Sequence, residues 1–402
     1  MAKLRLKDLD LKGKKVVMRV DFNVPLDGST ITDDNRIIQA LPSIEHIIQQ
    51  EATLILLSHL GRPKGEPESK YSLKPVADHL QNVLKDRLIT KVHFAEDCIG
   101  HKAKSTVDQA GAGEIVLMEN VRFHPGETKN DPEFSKQLAE LGDVYVNDAF
   151  GSSHRAHSSV AGITEYLQPA AAGFLLEKEI DYLDNTVNNP ERPFVAVLGG
   201  AKVSDKIGVI ENLITKVDTI IIGGGMTYTF YKALGLSIGK SLLEEDKVSL
   251  AKELMEKAKA NNVELLLPGD SVVGKEFDNN TETKVVLKDD GIQEGWMGLD
   301  IGPDTAKLYS DEIKNAKTVI WNGPMGVFEM ENFARGTFAV AASMGEATKN
   351  GAITIIGGGD SASAIKKAGL EETVSHVSTG GGASLEYLEG IELPGIAHLT
   401  DA

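Results

Sequence analysis

Polar residues, arginine and histidine foremost, gather at four points in the first half of the chain where a short apolar run has just ended. Asp21-Phe22-Asn23 follows Lys15 to Val20, and Ser58-His59-Leu60-Gly61-Arg62 follows Thr53 to Leu57. Glu119 to His124 follows Glu114 to Met118, and Asn147 to Arg155 follows Val144 to Val146. In an open parallel sheet, ligands collect beyond the carboxyl ends of the strands. Arg62, Arg122 and Arg155 at three such ends would converge on one pocket, where forked guanidinium groups match phosphate or carboxylate oxygens. Any one of them alone reads as a surface ion pair, but three at equivalent topological positions point to an anionic ligand. Arg36 adds a fourth candidate. Thr32 to Asn35 look like an N-cap cluster opening a helix, and a cation in the first turn opposes the helix dipole unless an anion lies nearby. Solvation beside Asp33 and Asp34 is the competing reading.

The second half carries glycine where the first carries arginine. Gly199-Gly200-Ala201-Lys202, Gly223 to Gly225, Asn322 to Gly326, Gly357 to Ser361 and Gly380 to Gly382 each follow a strand-like run. Such glycines let backbone N–H groups approach phosphate oxygens, and a helix starting there adds its positive end. A single cluster reads equally as a tight turn or close helix packing; five at successive strand ends suggest a nucleotide lobe. The pattern G-x-x-x-x-G-K-[ST] does not occur, because Lys202 is followed by Val203 and Ser204, which disfavours an ordinary P-loop nucleotidase. Gly357 to Ala362 fits G-x-G-x-x-A, yet the next run, Val374 to Ser378, ends in Thr379-Gly380 and lacks the acidic residue of a dinucleotide site. Asp360, inside the glycine turn, would repel a bare pyrophosphate unless Mg2+ lay between them, which points to a metal–nucleotide complex.

The elements that must position these residues are short apolar runs, most followed by a turn and a helix-period segment. Besides those above they include Lys91 to Phe94, Phe194 to Leu198, Thr219 to Ile222, Glu264 to Leu267, Thr318 to Trp321 and Ile353 to Ile356. Runs apolar at both alternating positions suit strands covered on both faces, so the expected class is α/β with two doubly wound parallel-sheet domains. Length supports two domains, since 402 residues exceed the usual single core. Between the halves, Ala170 to Asn189 reads as an amphipathic helix, with Leu176, Ile180, Leu183 and Val187 on one face, ended by Asn188 to Pro193. The expected layout is domain 1–170, connecting helix 171–189 and domain 190–389. A net charge of -17 argues against nucleic acid or an anionic membrane as partner. The single cysteine, Cys98, forms no intrachain disulfide or multi-thiolate site and reads as a small semi-buried hydrophobe. Neither a signal-peptide pattern at the N-terminus nor an apolar run near the length of a membrane span is present, so a cytoplasmic location is expected.

The runs Arg19 to Pro25, Ser58 to Pro63, Asn147 to Gly151 with His154 to His157, Gly199 to Val203, Trp321 to Pro324 and Gly357 to Asp360 closely resemble the phosphoglycerate kinase family, in order and over essentially the whole chain. The resemblance implies a glycolytic phosphotransferase with an N-terminal lobe for 3-phosphoglycerate or 1,3-bisphosphoglycerate, a C-terminal lobe for Mg-ADP or Mg-ATP, and closure by hinge bending. By resemblance, Asp21, Asn23, Arg36, His59, Leu60, Gly61, Arg62, Arg122 and Arg155 hold the glycerate. Gly200, Ala201, Lys202, Lys206, Gly224, Gly298, Asn322, Pro324, Val327, Glu329 and Gly357 to Ser361 (Gly357, Gly358, Gly359, Asp360, Ser361) hold the nucleotide, with Glu329 at the ribose and Asp360 on Mg2+. Arg36, Lys202, Gly358 and Gly381 carry the catalytic roles. The family also implies a monomer whose last residues, 390–402, pack back on the first domain. Ser361 stands where the family often has Thr, and Gly269 replaces a usual apolar residue. Transfer from an acyl phosphate to an ionised phosphate needs no general acid or base, so His59 is expected to bond the substrate, and His154 and His157 to be structural or inter-lobe. The competing classes are an NAD-dependent two-domain dehydrogenase using the Gly357 turn and a non-catalytic phosphosugar-binding protein using the arginines alone.

Overall fold

Aliphatic runs without polar alternation can bury both faces only as inner strands between helix layers, and each such run forms a strand of one of two parallel sheets. The computed structural model describes residues 2–402, the side chain of Asn185 excepted. The chain divides into two compact units, one reaching to Ile180 and including Glu392–Ala402, the other Asp181–Ile391.

The first unit contains β1 (Lys15–Val20), a small hairpin of β2 (Leu26–Asp27) and β3 (Thr30–Ile31), β4 (Thr53–Leu57), β5 (Val92–Ala95), β6 (Ile115–Met118), β7 (Val144–Asp148) and β8 (Ala170–Ala172). Its helices are α1 (Asn35–Gln49), α2 (Lys74–Leu84), α3 (Gly100–Gln109), α4 (Pro125–Lys129) and α5 (Pro132–Ala139). The six-stranded sheet runs β5-β6-β4-β1-β7-β8 with every pairing parallel. From β1 the chain moves to one side and from β7 to the other, so the switch point lies between them. Val16, Met18, Leu54 and Leu56 pack with Ile37, Leu41 and Ile44 of α1 to form the core on one face. α6 (Phe174–Asn188) carries the chain into the second unit, with Leu176, Leu183 and Val187 buried as their spacing predicts. Asp148 accepts hydrogen bonds from the N–H groups of Leu175 and Leu176 at 2.9 and 3.2 Å and so caps this helix. Burial raises its carboxyl to about 7.

The second unit contains β9 (Phe194–Leu198), β10 (Thr219–Ile222), β11 (Glu264–Leu266), β12 (Asp270–Gly274), β13 (Thr283–Leu287), β14 (Met297–Ile301), β15 (Thr318–Asn322), β16 (Ile353–Gly357) and β17 (His376–Val377). Its helices are α7 (Ile207–Leu213), α8 (Thr227–Ala233), α9 (Val248–Ala260), α10 (Pro303–Asn315), α11 (Arg335–Lys349), α12 (Gly359–Lys367) and α13 (Gly381–Leu388). The parallel sheet runs β11-β10-β9-β15-β16-β17, with its switch point between β9 and β15. The remaining helix, α14 (Pro394–Ala397), belongs to the first unit. There Gly395 N–H donates to Ser153 O at 2.8 Å and Ala402 N–H to Ala2 O at 2.9 Å.

Two features depart from the sequence-based expectation. An antiparallel sheet, β13-β12-β14, is inserted between β11 and β15, where only parallel construction was expected. Its second layer is small, with Val273 packed on Tyr228, Tyr231, Ile238 and Ile292, too short a pattern to stand out in the chain. Ala170 to Ala172, expected to begin the connecting helix, form edge strand β8 instead. Alanine favours helix intrinsically, but β7 on one side and the backbone of Leu4 and Thr400 on the other claim these peptide groups.

Candidate active site

In the first unit, the residues after β1, β4, β6 and β7 form one linked network. Arg36 donates to Asp21 Oδ2 at 2.6 Å, so this first-turn cation is paired with a carboxylate from the end of β1. Asp34 instead faces His79 at 2.9 Å and makes no side-chain cap. Asn23 Oδ1 accepts the Gly61 N–H at 2.8 Å, and Arg122 donates to Gly61 O at 2.8 Å, which holds the Leu60–Gly61 turn between two strand ends. His59 is 5% exposed, and its Nδ1 lies 2.9 Å from Arg19 Nη2. A guanidinium only donates, so Nδ1 accepts and the ring proton sits on Nε2. Burial, with Arg19, Arg122 and Arg36 nearby and Asp21 opposing, holds His59 well below the usual imidazole range. The ring is therefore a neutral donor at physiological pH.

Charge in this cluster is unbalanced toward the cation. Arg62, Arg122 and Arg155 make no ion pair with a carboxylate among the described residues, although the chain carries a net charge of -17. Arg62 and Arg155 are exposed, and Arg155 Nε donates to His154 Nε2 at 3.0 Å. Arg122 is partly buried with its Nε unpartnered; burial, and the charges of Arg19 and Arg155, lower it to about 10. Arg62 adjoins this network through its place next to Gly61.

Three residues outside the expected set hold this network. Arg19, fully buried, donates from Nε to Ser159 Oγ at 2.8 Å and from Nη1 to Val20 O. Buried Glu127 accepts from Ser159 N–H at 2.9 Å and Ser159 Oγ at 2.7 Å. Its Oε1 lies 3.8 Å from His157 Nδ1, and burial with Arg122 and Arg19 lowers His157 to about 4. An arginine inside the apolar run of β1 was a legible sign of a buried charge. Glu127 and Ser159 offered none.

In the second unit the site is built largely from backbone. Gly199 N–H donates to Asn322 O at 3.0 Å, Gly200 N–H to Pro324 O at 3.1 Å and Gly224 N–H to Met325 O at 2.9 Å. A Cβ on Gly199 would lie 2.1 Å from Pro324 O, so the turns after β9, β10 and β15 meet backbone to backbone. These glycines thus have a packing role beside any ligand role. The turn after β16 differs. Gly358 (φ +89°) caps α12 and Gly380 caps α13, and neither helix has a side-chain cap among the described residues. A Cβ on Gly381 would come 3.1 Å from Gly359 N, so two helix N-termini stand side by side with first-turn N–H groups uncapped.

Around this pair lie the expected side chains. Lys206, 9% exposed, donates to Asn322 Oδ1 at 2.5 Å, and burial lowers its ammonium while Asp205, Asp360 and Glu389 oppose. Asn322 Nδ2 is buried without a partner among the described residues and faces Gly357 and Gly358. Ser361 Oγ accepts the Gly323 N–H at 2.6 Å, so its hydroxyl ties two turns together. Lys202, Ala201, Glu329 and Asp360 are exposed. Val327 N–H donates to Leu299 O at 2.9 Å, and Gly298 N–H to Ser241 Oγ at 2.9 Å, which joins the turn after β15 to the antiparallel sheet. Asp360, in the first turn of α12, offers a carboxylate beside the uncapped N–H groups. One carboxylate plus phosphate oxygens and water is the set Mg2+ takes, so these residues fit that ion.

Two doubly wound α/β units, one with surplus guanidinium charge and one with uncapped helix starts, each present groups suited to anions at the switch point of a parallel sheet. The family model described as phosphoglycerate kinase matches residues 6–391. The chain is 56% identical to phosphoglycerate kinase of Chloroherpeton thalassium over the full length of both. The solved phosphoglycerate kinase of Coxiella burnetii superposes with a TM-score of 0.91 at 43% identity, covering 99% of this chain and 98% of that one. That of Pyrococcus horikoshii OT3 gives 0.82 at 31% identity, covering 98% of each. The chain belongs to the phosphoglycerate kinase family, and the dehydrogenase and binding-protein alternatives find no support.

Proposed function

We propose that the first unit holds 3-phosphoglycerate through Asp21, Asn23, Arg36, His59, Arg62, Arg122 and Arg155, and that the second holds the nucleotide through the residues around Lys202, Lys206 and the Gly357 to Ser361 turn. The observation that carries this reading is that Arg62, Arg122 and Arg155 have no carboxylate partner among the described residues of a strongly acidic protein. Arg62, Arg122 and Arg155 bind the substrate's phosphate and carboxylate as forks, and His59 donates from Nε2. Asp21 keeps Arg36 extended over the strand ends and releases it to the incoming phosphoryl group.

When bound, Mg2+ on Asp360 supplies charge neutralisation at the nucleotide phosphates. The uncapped N–H groups at Gly359 and Gly381 orient those phosphates, with Gly358 shaping the turn. Lys202 and Arg36 stabilise the equatorial oxygens of an in-line transition state. Neither a proton donor nor an acceptor is needed, because the leaving carboxylate and attacking phosphate are already ionised. Closure that excludes water accompanies transfer, since acyl phosphates hydrolyse readily. No described helix is long and apolar enough to cross a membrane. A cytoplasmic monomer is the accompanying proposal.

The test is ADP formation from ATP, Mg2+ and 3-phosphoglycerate by the parent protein, Arg36→Ala and Lys202→Ala. Turnover that requires both substrates and falls about 10²–10³-fold in each variant supports the assignment. Retained turnover in both variants would remove these residues from the reacting centre. Compaction in solution scattering with both ligands present tests closure.

A further inference from the structure

A second chemical cluster lies at the β5 edge of the first unit's sheet, in the turns that follow β5 and β6. Cys98, the chain's single cysteine, is 1% exposed between β5 and α3. Asp97 precedes it, and His124 closes the turn between β6 and α4. One carboxylate oxygen, the Cys98 Sγ and one imidazole nitrogen all lie within 4.8 Å of one another. Asp97 Oδ1 accepts from His124 Nε2 at 2.7 Å and from the Cys98 N–H at 2.7 Å. The His124 ring also packs on Phe134, centroids 5.2 Å apart. Two of the three donors are thus oriented by contacts that leave the sulfur unused. Asp97, Glu127 and Glu119 place negative charge near Cys98.

We propose that Asp97, Cys98 and His124 bind a divalent cation of the zinc type, with water in the fourth position. One thiolate, one imidazole and one carboxylate are a zinc set; Mg2+ and Ca2+ take oxygen alone. In a tetrahedral site with these ligands the donor atoms stand roughly 3.5 Å apart. Side-chain adjustment of about 1 Å in two turns reaches that geometry from the spacing seen, and the Asp97 carboxylate offsets part of the ion's charge. Binding converts Cys98–SH and Zn2+ to Cys98–S–Zn+ with a proton released to solvent, and the neutral ring donates its unprotonated nitrogen, with no change of oxidation state. The ion would clamp the turn after β5 to the turn after β6, two residues beyond Arg122.

Co2+ is the probe, added to the nucleotide-free protein under reducing conditions. Because no other cysteine exists, a thiolate-to-cobalt charge-transfer band can arise only at Cys98. The expected result is a near-ultraviolet band saturating at one ion per chain, displaced by Zn2+, abolished in Cys98→Ser and weakened at least about tenfold in His124→Asn. Turnover and circular dichroism of Cys98→Ser serve as the folding control, because Cys98 is outside the substrate cluster. A folded parent protein that gives no charge-transfer band in excess Co2+, or a band that survives Cys98→Ser, overturns the proposal.

Discussion

The two units present the groups proposed to hold anions at the same topological place, the carboxyl ends of parallel strands around a switch point, yet they build them from different material. The first unit uses side-chain charge. Arg19 and Arg36 need counter-charge, and the molecule supplies Asp21 to Arg36 and buried Glu127, through Ser159, to Arg19. The second unit uses backbone dipoles at α12 and α13, which carry no net charge and need no counter-ion, only close approach. A charged site is therefore paid for in buried compensation, whereas a dipolar site requires glycine geometry. The first should be sensitive to charge removal and pH, the second to added bulk.

The largest expected effect tests the compensation. Glu127→Gln leaves buried Arg19, which reaches it through Ser159, without its counter-charge and should lower stability by about 3 kcal/mol or more in urea unfolding. A neutral result would mean that Glu127 is not what balances Arg19.

Acid should act on the same unit. His157 titrates at about 4 in the folded protein, below its ordinary 6.5, so the unfolded chain binds the proton first. Its contribution is complete above pH 6.5 and is lost as pH falls toward 4, roughly 3 kcal/mol in all. Urea midpoints from pH 7.5 to 4.5 should fall more gently in His157→Gln than in the parent. His59, also held neutral, should leave no inflection of its own near 6.5 in the pH profile of kcat/KM for 3-phosphoglycerate.

Arg122→Ala should raise KM for 3-phosphoglycerate about 10–150-fold, the worth of one charged hydrogen bond, with KM for ATP unchanged. Gly381→Ala should do the reverse and more mildly, raising KM for ATP about tenfold, because the new methyl must displace the Gly359 N–H that it meets at 3.1 Å. If both variants moved the same KM, the division of labour between the units would fail.

Parallel strands were legible because inner strands must be apolar on both faces: β1, β4, β9 and β10 lie where their aliphatic runs are. The antiparallel insert was not, since β13 reads Thr283-Lys284-Val285-Val286-Leu287 and only its partner strands decide which face is covered. Alanines 170–172 were misjudged because edge pairing outweighs an intrinsic preference worth a fraction of a kcal/mol per residue. At the site, residue types and strand-end positions were legible, whereas the partners were not. Arg36 could be singled out from its helix turn, but its bond to Asp21, fifteen residues away, depends on how α1 packs on β1.

By itself the sequence determined the family, the α/β class and the contrast between an arginine-rich and a glycine-rich half, because these rest on residue type and local spacing. Only the tertiary structure decided which charges are neutralised, that His59 carries its proton on Nε2, that two helix N-termini stand together at Gly359 and Gly381, and that Asp97, Cys98 and His124 share one corner. Burial and distance set the energy of a charge or a dipole, and both are properties of packed neighbours that lie far apart along the chain.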